Sequence, residues 1–290
     1  MADDILPFDK TKDYSLSRRG FAALGVGATG ALASQAFAQE AQVIETDVTI
    51  KMPDGECDAV LFHPPGAGPW PGVLTITDIL GLRPAFRSMG RSLAAQGFTV
   101  LTPNPFYRTR KAPVLSGPFD FANPTDRAKL TEFTGPTGQP GAKARDVAAW
   151  TAYLDTVAQV RKTAKLGVHG YCMGGPYSFL TALSTPDRIG AVGSFHGGGL
   201  VTDAPDSPHL GVAKTKAAYL IAIADGDDQR QPDAKDKLRA AFDAAKLTAT
   251  VEVYKGCAHG WCVTDGAVYN KEGADKAFAA LVAMYKKALV

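Results

Sequence analysis

The sequence predicts an α/β fold: one domain on a mostly parallel sheet of about eight strands, with helices on both faces. Three observations carry that expectation. Strand-like apolar runs alternate with segments of helical period along most of the chain. Several of the runs, such as residues 71–78 and 217–225, are nearly continuous in apolar residues, as strands covered on both sides are. A third run enters Gly170-Tyr171-Cys172-Met173-Gly174 and leaves as a helix-compatible stretch, which is a sharp strand–turn–helix connection.

The elements follow in order. Residues 45–52 and 57–63 alternate as strands around the turn Pro53-Asp54-Gly55, and residues 71–78 form the next strand. Residues 85–95 read as a helix and 98–101 as a buried strand. The stretch 103–141 is rich in Pro, Gly and Thr with little periodicity and reads as a long loop. Val147, Trp150, Leu154 and Val157 recur at helical spacing. After the Cys172 turn come strands over 189–197, 217–225 and 248–256, with a helix over 233–246 between the last two. A closing helix carries Phe278, Leu281, Val282 and Tyr285 on one face. Right-handed crossovers place the C-terminal strand ends along one edge, where functional loops gather.

The first residues differ from the rest. Ser17-Arg18-Arg19-Gly20-Phe21 precedes a weakly apolar Ala/Gly-rich stretch and then Ala36-Phe37-Ala38. A paired arginine, a weak apolar segment and a small-x-small site predict a twin-arginine export signal over 1–38, cut after Ala38. The segment is too short and glycine-rich for a stable membrane anchor. The expected mature domain is 39–290, in the periplasm, with the export machinery as a transient partner. Net charge is +2 with no long basic run, so no nucleic-acid partner is expected. No Cys/His cluster has zinc spacing, and neither metal nor cofactor is expected. A monomer acting on a small molecule is the expectation.

The chemistry is concentrated after residue 166. Gly-x-Cys-x-Gly between a strand and a helix has the layout of a nucleophile elbow, normally Gly-x-Ser-x-Gly, and makes Cys172 the candidate nucleophile. The alternative for Cys172 is a small buried core residue. Three histidines follow it: His196, His209 and His259. His259 follows the last strand, where the base of an elbow fold belongs. His196 follows the strand after the elbow and is expected to line the pocket; His209 sits in a Pro/Asp-rich loop. The acid that fixes the imidazole tautomer belongs in Asp225-Gly226-Asp227-Asp228-Gln229-Arg230-Gln231-Pro232. Spacing does not rank its three aspartates.

Four motifs together resemble the dienelactone hydrolase family of α/β-hydrolases: "GYCMGG", "DGDDQRQP", "CAHGW" and "LTPNPFYR". The resemblance spans most of the mature chain and implies a carboxylic-ester hydrolase acting on a small lactone or activated ester through acyl-Cys172. It implies Asp228, four residues before Pro232, as the acid, and Arg108 as a substrate-binding arginine. It also implies a thiol kept partly protonated until substrate binds. Two positions depart from the pattern. Asp78 stands where the family has the glutamate that activates the thiol, and Val263 where it has a second arginine. Trp261 is expected to wall the pocket. The backbone N–H groups of Met173 and Ile79 are expected to form the oxyanion hole.

Two other classes of function compete. One is a periplasmic thiol-redox protein cycling Cys257 and Cys262, which lacks the usual Cys-x-x-Cys. The other is a hydrolase fold that binds a ligand without turnover, against which an ordered Cys, Asp and His set argues.

Overall fold

The structure, a computed structural model, describes residues 42–117 and 119–290. The segment 1–38 read as an export signal lies outside the described residues. No helix among the described residues is long and apolar enough to cross a membrane.

Eight strands form one sheet: β1 (Ile44–Met52), β2 (Gly55–His63), β3 (Gly72–Ile76), β4 (Thr99–Pro103), β5 (Leu166–Tyr171), β6 (Ile189–Phe195), β7 (Ala218–Ala224) and β8 (Ala249–Tyr254). Their order is β1-β2-β4-β3-β5-β6-β7-β8. β1 and β2 pair antiparallel, as does β2 with β4; every later pair is parallel. β3, β4 and β5 are buried at every position, which is why their sequences are apolar runs without alternation.

The helices are α1 (Pro84–Ala94), α2 (Pro124–Thr137), α3 (Ala142–Thr156), α4 (Gly174–Ser184), the single turn α5 (Pro208–Gly211), α6 (Asp225–Arg230), α7 (Ala234–Ala244) and α8 (Lys271–Leu289). They divide the core in two. On one face Val147, Trp150 and Leu154 of α3 pack with Phe179 of α4 and Leu238 and Phe242 of α7. On the other, Phe86 and Leu93 of α1 pack with Leu281, Val282 and Tyr285 of α8. Phe278 of α8 is only partly buried beside that second cluster.

One stretch corrects the sequence expectation. The long loop over 103–141 contains α2, which starts at Pro124 with the Asn123 side chain accepting from the Thr125 N–H. α2 buries only Asp126, Phe133 and Thr137, so it has no apolar stripe for periodicity to detect. Its Asn-Pro start was the readable signal, a capping residue followed by proline in the first turn.

Parallel crossovers put the exits of β3, β5, β6, β7 and β8 along one edge. Those exits lead to Asp78, Cys172, His196, Asp227 and His259 respectively.

Candidate active site

The turn at Cys172 is as tight as its sequence implies. Cys172 has φ 51, a conformation that costs a non-glycine residue strain. It is pinned on both sides: its N–H donates to Phe195 O at 3.0 Å and its carbonyl accepts from Gly175 N at 3.0 Å. A Cβ on Gly170 would lie 2.0 Å from Gly174 O, and one on Gly174 would lie 2.5 Å from Ile76 O. Only glycine therefore lets strand and helix approach this closely. The second contact also presses the elbow against the exit of β3, so that Met173 and Ile79 belong to adjoining backbone segments.

His259 stands over this turn. Its Nδ1 lies 2.8 Å from Asp227 Oδ2, and the Cys172 thiol is near enough to the ring to favour its charged form. Burial opposes a charge on the ring, yet the hydrogen bond to Asp227, the nearby Cys172 and the Asp227 charge overcome it. They raise the His259 pKa to about 10. The imidazole is 37% exposed, open enough to meet a substrate.

The acid beside His259 is Asp227 and not Asp228. The loop expected after β7 is the helical turn α6, in which successive side chains point about 100° apart. Asp227 faces His259 and also pairs with Arg230. Asp228 is turned the other way, with its carboxylate 2.6 Å from Lys235 Nζ and 3.8 Å from Lys255 Nζ. Asp225 accepts from Lys255 and from the Gly256 N–H.

Four other expectations change with the tertiary contacts. Asp78 does not sit on the thiol: both of its oxygens accept from Arg83, at 2.7 and 2.9 Å, and one also accepts from Leu80 N. Arg83 bonds Asp265 as well, so it straps the β3 exit to the loop carrying His259. Arg108 makes a two-pronged bond to fully buried Asp146, at 2.8 and 2.7 Å, and another to Asp54. Both its carboxylate partners are structural, and the guanidinium is absent from the lining of the cavity beside His259. Trp261 does not wall a pocket but is wholly buried, stacked on Tyr254 with ring centres 5.1 Å apart. His196 is 1% exposed, and its ring lies against His259.

The open space lies beyond His259. A cavity of about 250 Å³ is lined by Gly198, Leu200, Val201, Ile223, Leu238 and His259 among others. Val263, in the position where an arginine was looked for, is buried in the core. Cys57, Cys257 and Cys262 are buried and unpaired. Burial raises the pKa of all three thiols, that of Cys57 to about 12.

An elbow cysteine beside a histidine that is itself anchored by a carboxylate has the layout that a nucleophile, a base and an orienting acid require. The sequence profile of the dienelactone hydrolase family matches residues 57–289. The chain belongs to the dienelactone hydrolase family. A protein assigned as a carboxymethylenebutenolidase in Methylorubrum extorquens is 27% identical over 278 residues, covering 90% of this chain and 89% of the relative. A crystal structure assigned as a dienelactone hydrolase from Klebsiella pneumoniae superposes with a TM-score of 0.72 at 20% identity, over 84% of this chain and 99% of that one. The dienelactone hydrolase of Anabaena variabilis gives 0.61 at 18% identity, over 86% and 100%. At those identities the structural likeness shows the α/β-hydrolase fold. As a dienelactone hydrolase family member the chain is a carboxylic-ester hydrolase.

Proposed function

We propose that this dienelactone hydrolase family member cleaves a small, uncharged ester or lactone through an acyl-Cys172 intermediate, with His259 and Asp227 as its partners. The observation that carries the reading is the His259–Asp227 hydrogen bond beside Cys172 at a strained elbow. With its pKa raised to about 10, His259 holds a proton at neutral pH, and Cys172 attacks as the thiolate. The sulfur forms a bond to the substrate carbonyl carbon, and the carbonyl electron pair moves onto oxygen. That oxyanion is received by the N–H groups of Met173 and Ile79. As it collapses, the C–O bond to the alcohol half breaks and the leaving oxygen takes the His259 proton. Water then attacks the thioester and gives a proton to His259. The C–S bond breaks, freeing the acid and restoring the thiolate.

The partners of the charged groups described around the site support an uncharged substrate. Arg108 is held by Asp54 and Asp146, and Val263 offers no charge. The cation at the cavity, Arg230, is paired with Asp227. The redox reading is not favoured, because Cys257 and Cys262 are buried and their thiols are raised rather than activated.

The test is a panel of small neutral esters and lactones, with carboxylated analogues beside them, given to the purified protein. The expected result is turnover of neutral substrates and an acyl adduct on Cys172 by mass spectrometry, absent in Cys172→Ala. Turnover that survives Cys172→Ala, or that requires the carboxylated analogues, refutes the reading.

Export to the periplasm is part of the same proposal and rests on Arg18-Arg19 and the weakly apolar stretch after them. Replacing both arginines by lysine should leave precursor in the cytoplasm. Unchanged delivery would remove the twin-arginine claim.

A further inference from the structure

We infer that His196 is a positioning residue: its ring, pressed against His259, holds that imidazole between Asp227 and Cys172 through ring contact and not through a hydrogen bond. The inference deepens the proposed mechanism and rests on it only for its kinetic consequence.

His196 is placed at some cost. It follows β6 with φ 41, a left-handed conformation in a side chain that is 1% exposed. Its N–H donates to Ala222 O at 2.8 Å, tying the residue to β7. Both ring nitrogens are buried with no hydrogen-bond partner in the protein. Buried polar atoms are nearly always paired, so an exception beside a reactive group calls for a reason. A ring that makes no hydrogen bond to the protein acts by its faces and edges.

Those faces and edges are all occupied. The His196 ring meets His259 edge-on at 5.0 Å and Trp261 edge-on at 5.1 Å, and lies 5.9 Å from Tyr171. Tyr171 immediately precedes the nucleophile, and Trp261 follows the base by two residues. One ring therefore touches both segments that must stay in register for chemistry. Burial, and then the charge on His259, keeps His196 uncharged, so the two rings do not both carry a positive charge.

The mechanical need is plain. Asp227 fixes only the Nδ1 end of the His259 ring, which can still pivot about that bond on a partly exposed loop. A ring packed against its side removes the pivot, leaving Nε2 aimed at Cys172. Displacements of about 1 Å at a reacting group cost up to about 10²-fold in rate.

The experiment uses the full chain with His196→Phe, His196→Leu and His196→Asn. Phe and Leu share the backbone strain, so their difference isolates the ring; Asn relieves the strain and keeps polarity. Phe should retain kcat within about threefold, while Leu and Asn should lose about 30-fold in kcat, the scale of a misplaced reacting group, with KM within twofold. The second readout needs no substrate: the low-field proton resonance of the His259–Asp227 hydrogen bond. It should persist in Phe and broaden away in Leu and Asn, while the backbone spectrum stays native. If Phe does not fold, Leu and Asn still decide between the outcomes. A Leu variant with native kcat and resonance overturns the inference, and so does an Asn variant that matches the wild type. No turnover in any form, with the resonance behaving as expected, would sink the catalytic reading and leave the positioning contact intact.

Discussion

Asp227 Oδ2 lies 2.8 Å from His259 Nδ1, while Asp228, the next residue of the same helical turn, is bonded to Lys235. Replacing each by asparagine separates the two roles. Asp227→Asn keeps the shape but favours the wrong imidazole tautomer and should lose about 10²–10⁴ in kcat. Asp228→Asn should stay within about threefold, its effect falling on stability through Lys235 and Lys255. Measuring kcat/KM for both decides it; a damaging Asp228→Asn beside a fully active Asp227→Asn would reverse the assignment.

The charge on His259 sets a pH limit. Burial works against that charge, but the hydrogen bond to Asp227 and the nearby Cys172 raise the pKa to about 10. The group's folded value is raised, so its stabilising contribution is complete below its ordinary value of 6.5 and is lost as pH rises through about 10. Activity should fall on an alkaline limb near pH 10. Asp227→Asn removes one of the contacts that raise the ring, so its limb should move to lower pH. A kcat/KM profile from pH 6 to 11 for both proteins checks this, and an unmoved or upward-moving limb contradicts it.

Arg108 answers a different question. Its loss leaves Asp146, which has no exposed surface, with only Tyr107 as a side-chain partner among the described residues. Breaking such a pair typically costs about 3 kcal/mol or more, here a drop of about 6–12 °C in Tm. KM for a neutral ester should stay within about twofold in Arg108→Met, and Asp146→Asn in the same chain should recover part of the Tm. A large rise in KM with Tm unchanged would return Arg108 to substrate binding.

Gly198 offers a way to fill the cavity. A Cβ there meets nothing within 4 Å, and its φ lies outside the left-handed region. In the proposed mechanism the leaving oxygen takes its proton from His259, which puts the alcohol half of the substrate in the cavity beside that ring. Gly198→Val should therefore lower kcat/KM for a butyl ester about tenfold while leaving the methyl ester of the same acid unchanged. Equal losses on the two esters would detach this cavity from the substrate.

The amino-acid sequence alone determined the fold class, the elbow and the place of His259, because each depends on features local in the chain. Apolar runs that alternate with helical periods define a covered parallel sheet, and two glycines around Cys172 define a turn that other residues clash in. What depends on direction in space was decided only by the folded chain. Three aspartates within four residues look alike until a helical turn points Asp227 and Asp228 apart. Arg108 reads as a free cation until residues 54 and 38 positions away supply its carboxylates. His196 and Trp261 read as pocket residues until the β8 loop folds back and buries both rings. A sequence records which groups are present near a strand end. Which of them face one another is set by side-chain direction and by partners distant in the chain, and those exist only once the sheet and its two helical layers have closed.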